Sequence, residues 1–431
     1  MTRLQKGVVG AVLLLLPSAG IFGQTDPSLG QLLDRLKNSP SFKLNRAKVE
    51  KGKWSERSVK GSLFPRLELF GSRERYSIPT ALLPLPPTQV TQIARSGGGY
   101  PFSNESTKIG VTLSMPLFVK SIWDSLKKSR WRVKGIKAQA KLANLSLEVN
   151  LVKGVAQLNY LYRLLKALQT KATFLKQTIK AVEVGVKNGK YPQFQLDRLK
   201  DALSQVELQI AQVRSSIAKW EGEIYKLVGV EVAGPVSISF TLPQKGPFFP
   251  LKPLKFELES SRYGVAVARD RFLPQLFLEG TGYRVFAKSY DNGATIAKNY
   301  AKGGVYLKWT ILDRKGRGEV EQKKVERLQA LYSYQQKKRE LEGLESSLWK
   351  QLSYFRKGVE VGRREVNLRR KLLSQAKVAF KLHRMRVEDY LKYEDNLVEA
   401  QAQLAQIEGN LAVVVANLAL LYGVDLEKVF K

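Results

Sequence analysis

The sequence predicts an α+β membrane protein, mainly α, in which long coiled-coil hairpins occur twice and two β-hairpins add four strands per chain. Three observations carry this. From Leu147 the apolar positions run Leu151, Gly154, Leu158, Leu161, Leu165, Leu168, Ala172, Leu175, Ile179, Val182 and Val186, in alternating four- and three-residue steps. A shift of 194 residues lays Gly110-Val111 on Gly304-Val305, Leu158 on Leu352, Tyr160 on Tyr354, Asp201 on Asp395 and Gly229-Val230 on Gly423-Val424. One offset over so long a stretch marks an internal duplication. Finally, Lys108 to Leu117 and Tyr300 to Leu312 alternate apolar and polar residues with the period of a strand.

The first long helix spans Lys120 to Lys187. No proline lies between Leu117 and Tyr191 to interrupt it, and at 1.5 Å per residue it is roughly 100 Å long. After Gly189-Lys190-Tyr191-Pro192 a second seam runs from Leu196 to Leu227, so residues 120–229 form an antiparallel helical hairpin. Residues 314–423 repeat it. Leu145, Val149, Val152, Tyr160 and Leu164 lie off the first seam and widen its stripe beyond what one partner helix covers, which suggests contacts with further copies of the chain.

The 431 residues contain no cysteine and one histidine, His383, which removes disulfide frameworks, thiol nucleophiles and almost every zinc site. A net charge of +34 would suit nucleic acid, but the basic residues are spread along helix faces among glutamate and glutamine. Solvated faces account for them, and no nucleic-acid partner is expected. No phosphate-cradling loop or nucleophile elbow is present, so no enzyme, metal or cofactor is expected.

Arg3 and Lys6, an apolar run from Val8 to Leu16 and small residues to Gly23 make residues 1–23 a secretory signal, too short to span a bilayer. Residues 24–230 then form the first repeat. Its entry helix runs from Ser28 to about Lys60 with a break at Ser39-Pro40, and its β-hairpin covers 65–117. Residues 231–255, with five prolines around Val236-Ser-Ile-Ser-Phe240, are a linker that forms a belt midway along the rod. The second repeat, 256–431, has an entry helix at Phe256 to Phe272, a β-hairpin at 274–312 turning at Asp291-Asn292-Gly293, the helical hairpin, and a tail.

Strands of about ten residues suit a tilted crossing of an outer membrane. Four strands cannot close a barrel, and an open edge in lipid leaves backbone groups unpaired. Three copies would supply twelve strands, an allowed even number, and would arrange the helices as a tube.

The order of these elements, duplicated once, resembles the TolC-like outer membrane efflux proteins over essentially the whole mature chain. Leu33-Asp-Arg-Leu-Lys-Asn-Ser-Pro40 is similar to the family's opening helix. Phe64-Pro-Arg-Leu67 and Leu273-Pro-Gln-Leu276 look like its helix-to-strand joints, and Val184 to Gly189 and Val387 to Asp395 look like its tip turns. The resemblance implies a homotrimeric channel-tunnel in the outer membrane, with a twelve-stranded barrel in lipid and a periplasmic helical tunnel. Such a channel passively conducts substrate for a tripartite efflux or type I secretion system. Its partners would be a periplasmic membrane-fusion adaptor and, indirectly, an inner-membrane pump.

The resemblance also places a pore constriction at Asp389, where some members carry an acidic ring. Lys392 occupies the second acidic position and Arg386 lies three residues before Asp389, making a mixed or cationic mouth. Asp389 would equally suit the N-terminus of the return helix. Adaptor docking falls on the tips, at Gly189, Pro192, Gln195, His383 and Val387, where substitutions are expected to cost the fold little. A second reading of the same elements is a secreted periplasmic coiled-coil adaptor or structural protein that is not a channel.

Overall fold

The computed structural model describes residues 28–431 apart from Gly98 and His383, so the expected signal segment lies outside the described residues. Helix α1 (Leu29–Lys37) opens on a capping box between Ser28 and Gln31, and α2 (Pro40–Gly61) starts with proline after an N-cap at Ser39. Then follow β1 (Arg66–Ala81), α3 (Pro87–Arg95), β2 (Phe102–Phe118), α4 (Lys120–Lys187) and α5 (Gln193–Val228). The second half comprises α6 (Leu251–Asp270), β3 (Gln275–Lys288), β4 (Thr295–Lys308), α7 (Arg314–Lys381), α8 (Val387–Tyr422) and a 3-10 turn at Leu426–Lys428.

The helical duplication keeps its register. α4 and α7 are each 68 residues long, α5 and α8 each 36, and every boundary repeats at the 194-residue shift. α5 and α8 both end at a left-handed glycine, Gly229 at φ 71° and Gly423 at φ 73°. α8 is apolar and long enough to cross a membrane, but it packs between α4 and α7 as a core helix.

Two helical layers share their long members. Near the sheet the lateral order is α2, α4, α6, α7, and towards the tips it is α5, α4, α8, α7. The sheet has the order β1-β2-β3-β4, antiparallel throughout, so strands and helices run side by side in one sequence across the chain. α4 therefore touches helices on both flanks, whereas one flank of α7 packs against no helix among the described residues and exposes Val325, Leu328, Tyr332, Tyr354, Val361 and Leu368.

Around the middle of the rod the core is continuous. Leu29, Leu32, Leu33 and Leu36 of α1 meet Leu145, Val149 and Val152 of α4 and the C-terminal Leu426, Val429 and Phe430. This corrects the expectation drawn from the off-seam residues. Leu145, Val149 and Val152 are covered by α1, the C-terminal turn and α8 of the same chain, and do not wait for another copy. Among the described residues the linker forms only single bridges, Ser28 to Ser237 and Phe240 to Phe430, while the Asn159 side chain holds both the N–H and the carbonyl of Val236 at 2.7 Å.

The strands are longer than the sequence alternation indicates. β2 begins six residues before Lys108, and β4 is displaced towards the turn, so Trp309 to Leu312 lie outside it. The proline-rich connection after β1 contains α3, whose formation no periodic pattern announced.

Candidate functional site

The sheet has two chemically distinct faces. One carries Leu67 and Leu69 of β1, Ile109, Val111, Leu113 and Met115 of β2, Leu276 and Leu278 of β3, and Val305 and Leu307 of β4, aligned by the strand register. Leu69 is 80% exposed and Leu307 65%, which water alone would not reward. The opposite face carries Glu68, Ser72, Glu74, Lys108, Thr112, Glu279, Thr281, Lys298 and Lys302. Lys108 Nζ lies 2.8 Å from Glu74 Oε2 there. Aromatic rings sit among these polar groups because Gly110 leaves room for them. A Cβ at Gly110 would stand 2.4 Å from Tyr283 Cβ and 2.8 Å from Phe70 Cζ.

At the end of the sheet remote from the helices, the connection after β1 folds over the polar face. Leu82 and Leu83 pack on Val285 and Ile296, with Tyr283 and Tyr300 at the edge. The two hairpin ends are tied together: Ser289 Oγ donates to the Tyr100 carbonyl at 2.6 Å, and Tyr290 N–H donates to the Phe102 carbonyl at 3.0 Å. Gly293, at φ 70°, closes the Asp291-Asn292-Gly293 turn.

Where the sheet meets the helices, Lys120 at the start of α4 bridges two carboxylates, 2.9 Å from Asp124 Oδ2 and 2.7 Å from Asp270 Oδ1. Burial pushes the Asp270 carboxyl up, and its Oδ2 is a buried oxygen with no hydrogen-bond partner among the described residues. None of these residues stood out in the sequence, because Lys120 and Asp270 are 150 positions apart.

At the first tip, Gly189 takes φ 70° and Lys190 N–H donates to the Gly185 carbonyl at 2.8 Å. Pro192 is the N-cap of α5, and Gln195, half-buried, follows in its first turn. Gly185 is also required: a Cβ there would lie 2.4 Å from Tyr191 Cδ2. At the second tip His383 lies outside the described residues. Arg386 is the N-cap of α8 with extended backbone, so it is not one helical turn from Asp389 on a shared face. Asp389 and Lys392 do lie on one helix face, with Lys392 Nζ 3.5 Å from Asp389 Oδ1, both exposed. Asp389 also stands in the first turn of α8, where a carboxylate complements the helix dipole.

Val387 differs from the other tip residues. It is 3% exposed and belongs to the core, so the expectation that the tips tolerate change does not extend to it. Beneath it Tyr390 stacks with Phe380 and Phe174, each 5.1 Å away between centroids, and donates through its hydroxyl to Glu394 Oε1 at 2.6 Å. Burial raises both the Tyr390 and the Glu394 pKa. Lys171, paired with Asp395, and Lys377, 4.6 Å over the Phe174 ring, flank the cluster. Among the described residues no group of three or more carboxylate or imidazole ligands could hold a metal ion.

Residues 32–230 match the Outer membrane efflux protein family. In fold the chain is similar to the outer membrane protein VceC from Vibrio cholerae, at a TM-score of 0.73 and 15% identity over 92% of this chain and 95% of that one. It is similar likewise to the CmeC outer membrane channel of Campylobacter jejuni, at 0.74 and 18% identity, covering 92% and 85%. The open-state MtrE outer membrane channel of Neisseria gonorrhoeae scores 0.72 at 15% identity, covering 93% and 90%. No curated protein matches the sequence. The first repeat thus matches the outer membrane efflux protein family, and both repeats share the fold of solved outer membrane channels.

Proposed function

We propose that three copies of this chain close into a twelve-stranded barrel continued by a helical tunnel, and that this duct passively conducts substrate delivered by a periplasmic adaptor and an inner-membrane pump. The observation that carries the reading is the common lateral order of strands and helices. β1 with α2 and α5 ends the chain on one flank, and β4 with α7 ends it on the other. A copy that pairs β4 with its neighbour's β1 brings the apolar stripe of α7 against that neighbour's α2 and α5 in the same movement. Edge strands in lipid demand such a partner, since each unpaired backbone group costs several kcal/mol there.

The apolar sheet face would then meet lipid and the polar face would line the lumen. A secreted adaptor has no use for a leucine-rich face held open on a sheet, which weighs against the non-channel reading. At the periplasmic mouth Asp389 and Lys392 form the constriction, with Arg386 entering from the preceding turn. Gly189, Pro192, Gln195 and His383 offer the docking surface, and Val387 anchors the second tip from within.

Purification in mild detergent followed by light scattering and planar-bilayer recording tests this. A trimer that conducts is expected. A monomer with its strand content intact, or a trimer without conductance, overturns the reading.

A further inference from the structure

The outer face of the sheet changes character along the strands. On the four rows nearest the helices it is apolar or glycine, from Phe118, Leu276 and Leu307 up to Leu69, Val111, Gly282 and Ala301. Beyond that, on the same face, come Arg284 in the row of Gly71 and Ile109, then Arg73 in the row of Thr107 and Phe286, then Arg75 opposite Glu105, with Lys288 at the end of β3. Four cations therefore stand on this face against one carboxylate, Glu105. That carboxylate is shared between Arg73 and Arg75 at 3.5 Å each, and among the described residues Arg284 and Lys288 have no carboxylate partner.

Arginine on the outside of a barrel is costly at the bilayer midplane and nearly free at the interface. The rows therefore fix the depth of the sheet, with Arg284, Arg73 and Arg75 in the headgroup layer of the leaflet remote from the periplasmic helices. The opposite rim is built differently, with Phe64, Phe118 and Trp309 exposed where sheet meets helices. A planar guanidinium binds phosphate through two parallel hydrogen bonds, and a desolvated guanidinium in a headgroup layer gains most from an anion. Arg73 and Arg284 lie two strands and one row apart, on the order of 12 Å from strand geometry. One phosphate cannot satisfy both, whereas a headgroup carrying two phosphates can.

We propose that Arg73, Arg75 and Arg284 form a binding site for the phosphates of a bis-phosphorylated glycolipid of the outer leaflet. The site lies on the outside of β1 to β3, away from the lumen and the tips, with Arg73 and Arg75 on the edge strand β1. It rests on the outer-membrane assignment and on the apolar face being the lipid face, but it needs no conductance.

The test uses the intact chain purified in detergent, with native mass spectrometry counting bound lipid A in three forms of the protein: unchanged, R73Q/R75Q/R284Q, and R284Q alone. Unchanged protein is expected to retain bis-phosphorylated lipid A, and the triple variant to bind it roughly a hundredfold more weakly, with R284Q between them. Chemically dephosphorylated lipid A and phosphatidylglycerol are expected to bind all three forms weakly and alike. Equal retention of bis-phosphorylated lipid A by the unchanged protein and by R284Q overturns the site, and this arm stands even where the triple variant fails to assemble. Binding of dephosphorylated lipid A or phosphatidylglycerol as tight as that of the bis-phosphorylated form overturns the ligand assignment. Conductance of the same preparations, unchanged by the substitutions, separates this site from the channel reading.

Discussion

Lys120 Nζ lies 2.7 Å from Asp270 Oδ1, so the first residue of α4 is tied to the last residue of α6 where both helices pass into the sheet. The same ammonium holds Asp124, and the two carboxylates are buried while the lysine is half exposed. Removing the cation leaves two acids enclosed together, the most destabilising way to break such a pair.

Lys120→Met is accordingly expected to lower stability by about 2 kcal/mol, less than for a fully buried cation because solvent reaches Lys120. Asp270→Asn in the same chain removes one of the stranded charges and should recover most of the loss. Thermal unfolding of the detergent-solubilised protein checks both, and additive losses would show that the bridge does not couple the helices.

Gly185 and Tyr191 make a second test. Alanine favours a helix interior by about 1 kcal/mol over glycine, yet its Cβ would enter the Tyr191 ring. Gly185→Ala should destabilise the first tip, and Gly185→Ala with Tyr191→Ala should be no worse than Tyr191→Ala alone. Amide exchange across Val184 to Leu196 reads the effect. Slower exchange in Gly185→Ala would contradict the packing.

Glu394 gives a pH dependence of defined sign. Burial raises its pKa, so its charged form is the one the fold disfavours. The penalty is full at neutral pH and is relieved as pH falls through the raised folded value towards the ordinary 4.5. Glu394→Gln should therefore be more stable than the unchanged chain at pH 7, and the gap should narrow on acidification. A gap that widens below pH 6 would refute the assignment.

Val387→Asp places a charge in a core position and is expected to cost about 3 kcal/mol and reduce the yield of folded protein. Gln195→Glu at the other tip should leave yield unchanged. Unfolding midpoints of the two variants decide it, and equal midpoints would place Val387 outside the core.

Lys392 pairs with Asp389 at the second tip, the residues proposed for the constriction. Lys392→Asp should shift the reversal potential in planar bilayers towards cation selectivity and introduce block by trivalent cations, which seek clustered carboxylates. An unaltered reversal potential would remove these residues from the constriction.

What could be read from the sequence and what could not divide along physical lines. The seam of α4 was legible from Leu151 to Val182 because a heptad needs no knowledge of its partner, and the duplicate helices followed from one numerical shift. α3 was not, since nine residues after a proline run carry too little periodicity. The start of β2 escaped because Ser103, Asn104, Glu105 and Ser106 continue the pleat with polar side chains on both faces. Sequence alone suggests a docking surface at Val387 because helix tips usually bury little, whereas this tip stands on Phe174, Phe380 and Tyr390. The Lys120 bridge and the Tyr390–Glu394 pair lie beyond reading by pattern, being set by which helices meet.

The equal lengths of the two helical hairpins bear on how many times a change is made. A ring of six identical repeats would carry every substitution six times, but a ring of three fused pairs carries it three times and leaves the sister position alone. Leu196 and Lys200 stand at the shifted positions of Tyr390 and Glu394, so one tip keeps a plain leucine while the other holds a buried acid and phenol. In the proposed trimer, fusion would lower the symmetry of the mouth from six-fold to three-fold, and two kinds of tip would alternate around it, each free to vary without the other.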